Sequence, residues 1–308
     1  MSPTPQAPTA APEPARERPT RPLVEVALAY CHSWLAVLAL VVLVAVVLVA
    51  ILAPWISPQN PYDLTVIDIM EGRLPPGSEA YGGGVYILGT DDQGRDMLSA
   101  IFYGLRISLM VGLGAALIAA TVGTSLGLIA AYAGGRVEAA IMRLVDLQLS
   151  IPSILVALMI LAVLGKGIVN VMIALILVEW ALYARTARGS ALVERNKEYV
   201  EAAQCLVLPQ YRIMFRHILP NCLPPIIVIT TIQVARAIAL EATLSFLGLG
   251  VPVTEPSLGL LISNGYQHML SGNFWISFYP GIALLITVAS INIVGDQLRD
   301  VLNPRHHR

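Results

Sequence analysis

Charged residues are scarce in this chain. Of its 308 residues only 13% are Asp, Glu, Lys or Arg, whereas 56% are hydrophobic. A soluble domain carries about 25% charged residues, so this deficit argues against a fully water-exposed surface. The net charge of −1 also argues against the basic patch of a nucleic-acid-binding protein, and no nucleic-acid partner is expected.

Residue patterns that carry catalysis or bind metals are lacking as well. The three cysteines, Cys31, Cys205 and Cys222, form no CxxC pair, and the five histidines are dispersed, so no metal site is predicted. The sequence contains no GxxxxGK[ST] phosphate-binding loop and no GxSxG or HExxH motif. We therefore expect a non-catalytic chain without a cofactor of its own. An intramembrane enzyme, which would need a nucleophile–base set or paired carboxylates in the spans, is disfavoured.

Long apolar runs are what the chain has instead. A helix rises about 1.5 Å per residue, so about 20 apolar residues cross a hydrocarbon core of roughly 30 Å. The pattern predicts an all-α, polytopic membrane protein with six transmembrane helices. The spans are expected at 34–53, 107–135, 147–165, 167–183, 222–247 and 275–295. The expected divisions are a disordered tail and lead-in at 1–32, the first span at 33–54, a loop at 55–104, a core at 105–297 and a tail at 298–308.

Lys and Arg are distributed unequally between the two sides of this arrangement. Most of them fall in segments 1–32, 133–147, 185–220 and 297–308. Cytoplasmic loops carry an excess of Lys and Arg. Both termini and segment 185–220 are therefore predicted to be cytoplasmic, and loop 55–104 to be periplasmic.

Segment 185–220 is long and rich in helix formers. Residues up to Leu206 contain no proline, and Pro209 suits the first turn of a second helix. Pro220 and Pro224 are expected to end that second helix where the chain re-enters the membrane. The segment thus predicts a helix–turn–helix between the fourth and fifth spans. An ordered connection of this length usually docks onto something.

Two short motifs in this segment resemble a known family. Glu201-Ala202-Ala203, followed by His217-Ile218-Leu219-Pro220, is similar to the EAA loop of ABC-importer permeases. The family has Gly where this chain has Val207, and a turn needing φ > 0 would be strained with Val. The resemblance implies that the loop couples the spans to an ATPase subunit. The candidate coupling residues are Glu201, Ala202, Ala203, Val207, Arg212, Arg216, His217, Leu219 and Pro220.

Three further segments narrow the resemblance. Segments 88–99, 245–251 and 295–300 are similar to those of the DppC/OppC class of peptide permeases, although Ala100 stands where the class often has Arg. The class implies a type I ABC-importer permease fold in the bacterial cytoplasmic membrane and peptide import by alternating access. Its implied partners are membrane lipid, a homologous second permease, two ATPases that bind ATP and Mg, and a periplasmic or lipid-anchored solute-binding protein.

Charged residues outside the coupling segment give two further sets of candidates. The loop before the second span is acidic, and such a surface can steer a soluble partner. Asp91, Asp92, Arg95 and Asp96 are the candidates for docking the binding protein. Ionisable residues inside spans tend to line a path or to pair with a neighbouring helix. Glu179, Arg236 and Glu241 are the candidates for either role, and Arg236 and Glu241 are too far apart on their helix to pair with each other.

Other functions remain open at this point. The same machinery serves relatives that import nickel chelates or glutathione. An ion-coupled secondary transporter is a further alternative, although it would be expected to show an inverted repeat, and the hydropathy shows no clear one.

Overall fold

The computed structural model describes residues 30–302 except 64 and 66. The predicted disordered tail lies almost wholly outside the described residues, as does most of the predicted tail at 298–308. Helices account for most of the described chain. They are α1 Trp34–Ile56, α2 Met97–Ala133, α3 Gly135–Ser150, α4 Ser153–Leu164, α5 Ile168–Arg195, α6 Glu198–Cys205, α7 Gln210–Arg212, α8 Leu219–Phe246, α9 Leu258–His268 and α10 Trp275–Leu302.

Short elements complete the described chain. A π turn, Ile213–Ile218, joins α7 to α8 without a break. The loop between α1 and α2 contains a 3₁₀ turn, Ile69–Glu71, and an antiparallel hairpin of β1 (Ser78–Glu79) and β2 (Val85–Tyr86). A second 3₁₀ turn, Met269–Ser271, follows α9.

Five helical segments of the described chain are long and apolar enough to cross a membrane. They are α1, α2, α5, the continuous segment Gln210–Phe246, and α10. A sixth crossing is available if α3 and α4 count as one span, but these two helices meet at 94°. The expectation of six hydrophobic spans is met if this bent pair counts as one span, and the third span predicted over 147–165 contains the break.

The break in the third span follows from proline. Pro152 forces the residue before it out of the helical region, and Ile151 indeed has ψ 136°. Helix α4 has 12 residues and is therefore only about 18 Å long, too short for a bilayer core. The apolar length of this segment could be read from the sequence, but the change in helix direction within it could not.

Most other helices extend beyond the predicted bounds. Helix α2 begins at Met97, ten residues earlier than predicted, so the loop before it ends at Asp96. Helix α5 continues to Arg195 and α10 to Leu302. The segment 248–274, read from sequence as a loop, contains α9, which is buried along Leu258–Leu261.

Glycine allows α2 and α5 to pack closely, side by side and in parallel. A Cβ on Gly123 would lie 2.3 Å from the Trp180 carbonyl oxygen, and one on Gly127 would lie 2.4 Å from that of Ala184. Gly123 and Gly127, four residues apart, thus form a small-xxx-small contact between the two helices. Helix α8 runs antiparallel to α2 on another side, with Ile238 against Gly112.

The helix directions define two ends of the bundle. At the loop end, the backbone N–H of Gln59 donates to Ser99 Oγ at 3.1 Å, which joins the exit of α1 to the start of α2. At the elbow end, Arg195 Nη1 donates to the Ala131 carbonyl at 2.9 Å, which joins the ends of α5 and α2. The elbow is defined here as residues 196–218, between α5 and α8.

Helix α1 packs on the outside of the bundle and exposes most of its apolar side chains. Trp34 and Trp55, near its two ends, are 76% and 77% exposed. Tryptophan is enriched at both membrane–water interfaces, and 21 residues of helix separate these interfaces by about 30 Å. The exposed apolar side chains between them are suited to lipid.

Candidate functional sites

The elbow is anchored by buried apolar side chains. Val200 and Ala203 of α6 and Ile213 and Ile218 of the π turn are each at most 5% exposed. They share one hydrophobic cluster with side chains of α2, α5 and α8, namely Leu128, Ala131, Ala187, Ala191 and Cys222. The elbow is therefore packed onto the ends of three spans rather than hanging free.

Polar contacts reinforce this anchoring. The Arg195 guanidinium carbon lies 5.5 Å from the centre of the Tyr132 ring. Tyr199 Oη donates to Glu194 Oε2 at 2.8 Å, and Asn221 Nδ2 donates to Tyr199 Oη at 3.3 Å. Burial, and next the bond to Glu194, raise the pKa of Tyr199 to about 12, so this hydroxyl remains protonated and donates at neutral pH. The contacts link α5, α6 and α8.

The turn after α6 contains a residue in the left-handed conformation, Val207. Val207 has φ 54°, a left-handed conformation that a β-branched residue rarely adopts. Its N–H donates to the Gln204 carbonyl at 2.8 Å, and the Leu208 N–H donates to that of Ala203 at 3.3 Å. The turn therefore keeps the conformation that Gly would favour, although Val occupies the position.

The second helix of the elbow does not end where predicted. The π turn leads into α8, which contains Pro220, Pro224 and Pro225 without interruption. Pro220 stands in the first turn of α8, where its missing N–H costs least. The Leu219 N–H reaches back five residues to the Met214 carbonyl, so the wider turn satisfies the backbone just before the proline. The elbow is thus continuous with a span.

The predicted coupling residues lie mostly on the outer face of the elbow. Ala203 is buried, and His217 and Leu219 are half-buried. The exposed ones are Glu201, Ala202, Val207, Arg212, Arg216 and Pro220.

An exposed apolar surface accompanies them, which we call the elbow ridge: Leu206 (73% exposed), Val207 (87%), Tyr211 (64%) and Phe215 (49%). Sequence reasoning missed three of the four. The helical spacing of Tyr211 and Phe215 was the available signal.

The predicted docking residues of the loop are largely internal. Arg95 Nε and Asp91 Oδ2 form an ion pair at 2.6 Å, and both side chains are almost fully buried. Arg95 Nη1 also donates to the Val253 carbonyl at 3.4 Å. Asp96 caps α2 by accepting from the Ser99 N–H at 2.9 Å. In this conformation these three side chains stabilise the loop and are buried, so they are not accessible to a partner.

Asp92 is the only one of the four that reaches the surface. It is half-buried and accepts a hydrogen bond from Asn264 Nδ2 of α9 at 3.2 Å. Burial, and next the neighbouring charge of Asp91, raise the pKa of its carboxyl. Its contact with α9 shows that the outer surface of the loop end is built from two segments of the chain.

Glu241 lies in the helix core. It is 0% exposed and accepts hydrogen bonds from Ser108 Oγ and Ser245 Oγ, each at 2.8 Å. The Ser108 contact joins α8 to α2. Of the two roles considered for this residue, the structure therefore supports contact with a neighbouring helix rather than lining a path.

Glu179 and Arg236 line one cavity of about 450 Å³, at the junction of α3 and α4. Glu179 is 3% exposed, and neither of its carboxylate oxygens has a hydrogen-bond partner within the described part of the chain. Arg236 is exposed, and its Nη2 donates to Ser153 Oγ at 3.2 Å. The three candidates from the spans thus separate into one core residue and two that share a cavity.

These features define a polytopic membrane protein with an ordered elbow between two spans, and comparison with known families identifies the class as a transport permease. Residues 123–308 match the family described as binding-protein-dependent transport system inner membrane component, and residues 22–76 match the N-terminal TM domain of oligopeptide transport permease C. The chain belongs to this family of binding-protein-dependent transport permeases, and it is a multi-pass membrane protein of a bacterial transport system.

Individual relatives indicate the class of permease within this family. The chain is 36% identical to the di/tripeptide transport system permease protein DppC of Pseudomonas aeruginosa, over 92% of each chain. It is 37% identical to the dipeptide transport system permease protein DppC of Haemophilus influenzae, over 93% of this chain and 96% of the relative. It is 36% identical to the oligopeptide transport system permease protein OppC of Bacillus subtilis, over 90% and 88%. The resemblance to the DppC/OppC class is confirmed.

A solved structure shares the fold. An inward-facing structure of the MetNI methionine ABC transporter matches with a TM-score of 0.55 and 20% identity, covering 67% of this chain and 98% of that chain. The predicted permease fold of an ABC importer is therefore confirmed.

Proposed function

We propose that this protein is a permease subunit of an ATP-driven importer, and that it moves short peptides across the bacterial inner membrane by alternating access. Its partners in this proposal are a homologous second permease, two ATPase subunits that hold ATP and Mg²⁺, and a solute-binding protein, periplasmic or lipid-anchored. The chain itself has no catalytic role. The elbow end faces the cytoplasm and the loop end faces outward.

The elbow ridge is the observation that carries this proposal. Four large apolar side chains are exposed on a segment whose other side is firmly packed, and a cluster of this kind marks a protein interaction site. The ATPase subunit is the partner expected here. Because α5, α2 and α8 all contact the elbow, a displacement of the ridge moves three spans together.

Two of these helices, α5 and α8, also border the cavity at the junction of α3 and α4. Glu179 belongs to α5 and Arg236 to α8, and both helices meet the elbow at their near ends. A rigid-body movement driven from the elbow would therefore change the shape of the cavity. Two packed arrangements of such helices, one open to each side, are what alternating access requires.

The names of the relatives support a peptide as the substrate. The relatives described above are permeases for dipeptides, di/tripeptides and oligopeptides, at 36–37% identity over most of their length.

Substitution of the ridge tests the coupling role. Leu206→Glu places a charge on the ridge, and Leu270→Glu makes the same change at the loop end, where Leu270 is fully exposed. Tagged permease is purified from membranes that contain all subunits of the transporter. We expect Leu206→Glu to reduce the co-purified ATPase at least tenfold and Leu270→Glu to leave it unchanged. Equal ATPase recovery with both variants would contradict the proposed contact.

Thiol labelling tests the orientation. Cys205 is exposed at the elbow, and Leu270→Cys adds an exposed thiol at the loop end. In intact spheroplasts, a membrane-impermeant maleimide should label Leu270→Cys in a Cys31→Ser/Cys205→Ser background. It should reach Cys205, in a Cys31→Ser background, only after the membrane is opened. Labelling of Cys205 in intact spheroplasts would refute the orientation.

A further inference from the structure

The cavity at the break between α3 and α4 contains an acidic and a basic side chain that are not paired with each other. Glu179 and Arg236 both line it, yet they are not among the ion pairs that the described residues form. Arg236 acts on Glu179 only through longer-range electrostatics. A carboxyl group that is nine-tenths buried without a hydrogen-bond partner is costly, and a buried polar group normally has a partner. The geometry points to a ligand that completes both side chains.

The basic part of the cavity has a second source of positive potential. Helix α4 begins at Ser153, and Ser153 and Ile154 both line the cavity. The N-cap residue, Pro152, makes no side-chain hydrogen bond to this end of the helix. A helix N-terminus carries partial positive charge and free N–H groups, and broken membrane helices place such ends at anionic ligand groups. Arg236 reaches the same end through Ser153 Oγ at 3.2 Å.

The acidic part of the cavity is formed by Glu179 on α5. Its two free oxygens are acceptors suited to an ammonium group. Gln233 and Gln148 add uncharged polar side chains to the lining. The cavity volume of about 450 Å³ falls within the range of small-ligand sites, about 300–1,000 Å³.

We propose that the cavity binds a short zwitterionic peptide during its passage. The peptide carboxylate lies between Arg236 and the N-terminus of α4, and its α-ammonium lies at Glu179. This inference rests on the proposed function and deepens it, because it assigns the two peptide termini to named residues. It also explains the break at Pro152, because in a straight third span the backbone N–H groups of Ser153 and Ile154 would be bonded within the helix and would not face the cavity.

The test uses the whole transporter, reconstituted with its ATPase subunits and binding protein in lipid vesicles. The variants are Glu179→Gln, Arg236→Gln, Arg236→Lys and a control, Arg106→Gln, which removes an exposed charge of α2 that does not line the cavity. Uptake of dialanine is measured per assembled complex, so that a lower yield of one variant does not affect the comparison. Uptake of a carboxyl-amidated peptide that the wild type imports is measured in parallel.

We expect Glu179→Gln and Arg236→Gln each to slow dialanine uptake about tenfold, as for loss of one charged hydrogen bond. Arg236→Lys, which keeps the charge, should retain more dialanine uptake than Arg236→Gln, and Arg106→Gln should stay close to the wild type. Arg236→Gln should leave uptake of the amidated peptide unchanged, which a general structural defect would not do.

Two results would overturn the inference alone. They are wild-type dialanine uptake by both Gln variants, and an equal loss for the amidated and the free peptide in Arg236→Gln. If the wild-type complex imported no peptide at all, the proposed function would fail, and this inference with it.

Discussion

Replacement of Gly127 by Ala should separate α2 from α5. A Cβ at this position would lie 2.4 Å from the Ala184 carbonyl oxygen and 2.8 Å from the Ala187 Cβ. Neither atom is at the end of a flexible side chain, so the helices themselves have to move apart. Overpacking of this kind costs about 1–3 kcal/mol, against a gain of about 1 kcal/mol in helix propensity.

Gly189→Ala on α5 is the matched control. A Cβ there meets nothing within 4 Å, so only the gain in helix propensity remains. The measurement is the thermal unfolding midpoint of the purified chain in detergent, followed by tryptophan fluorescence. On the scale of 2–4 °C for each kcal/mol, Gly127→Ala should melt several degrees below Gly189→Ala.

Gly123→Ala should behave like Gly127→Ala, because its Cβ would lie 2.3 Å from the Trp180 carbonyl oxygen. The double variant should be less stable than either single variant. If Gly127→Ala and Gly189→Ala melted at the same temperature, close packing of α2 on α5 would not be what holds these spans together.

Two further substitutions test local features. Val207→Gly should relieve about 1–2 kcal/mol of left-handed strain and slow amide hydrogen exchange over residues 204–208. The control Val193→Gly, within α5, should speed local exchange. Faster exchange in Val207→Gly would contradict the strain. Arg95→Met should leave Asp91 buried without its charge partner and destabilise the protein by about 3–5 kcal/mol. The control Asp63→Asn, at a half-buried carboxylate outside the ion pairs of the described residues, should change the thermal midpoint little; equal midpoints would show that the ion pair is not structural.

The distribution of apolar residues predicted much of this architecture. Five spans follow from predominantly apolar runs whose length matches a bilayer core. The helix formers, Pro209 and the motif at Glu201 predicted an ordered elbow, whereas the left-handed turn at Val207 was established only by the structure. The predicted features are local, so the order of residues along the chain is enough to define them.

Contacts between distant segments could not be read in this way. Glu179, Arg236 and Glu241 look alike as charged residues within apolar runs, and only packing shows that Glu241 bonds to Ser108, 133 positions away, while the other two share a cavity. The burial of Arg95 likewise depends on Val253, which lies 158 positions further along. The sequence by itself determined which segments enter the membrane, because that depends on transfer from water to lipid. The tertiary structure alone decided which charges meet each other and which line a cavity, because that depends on how the helices pack.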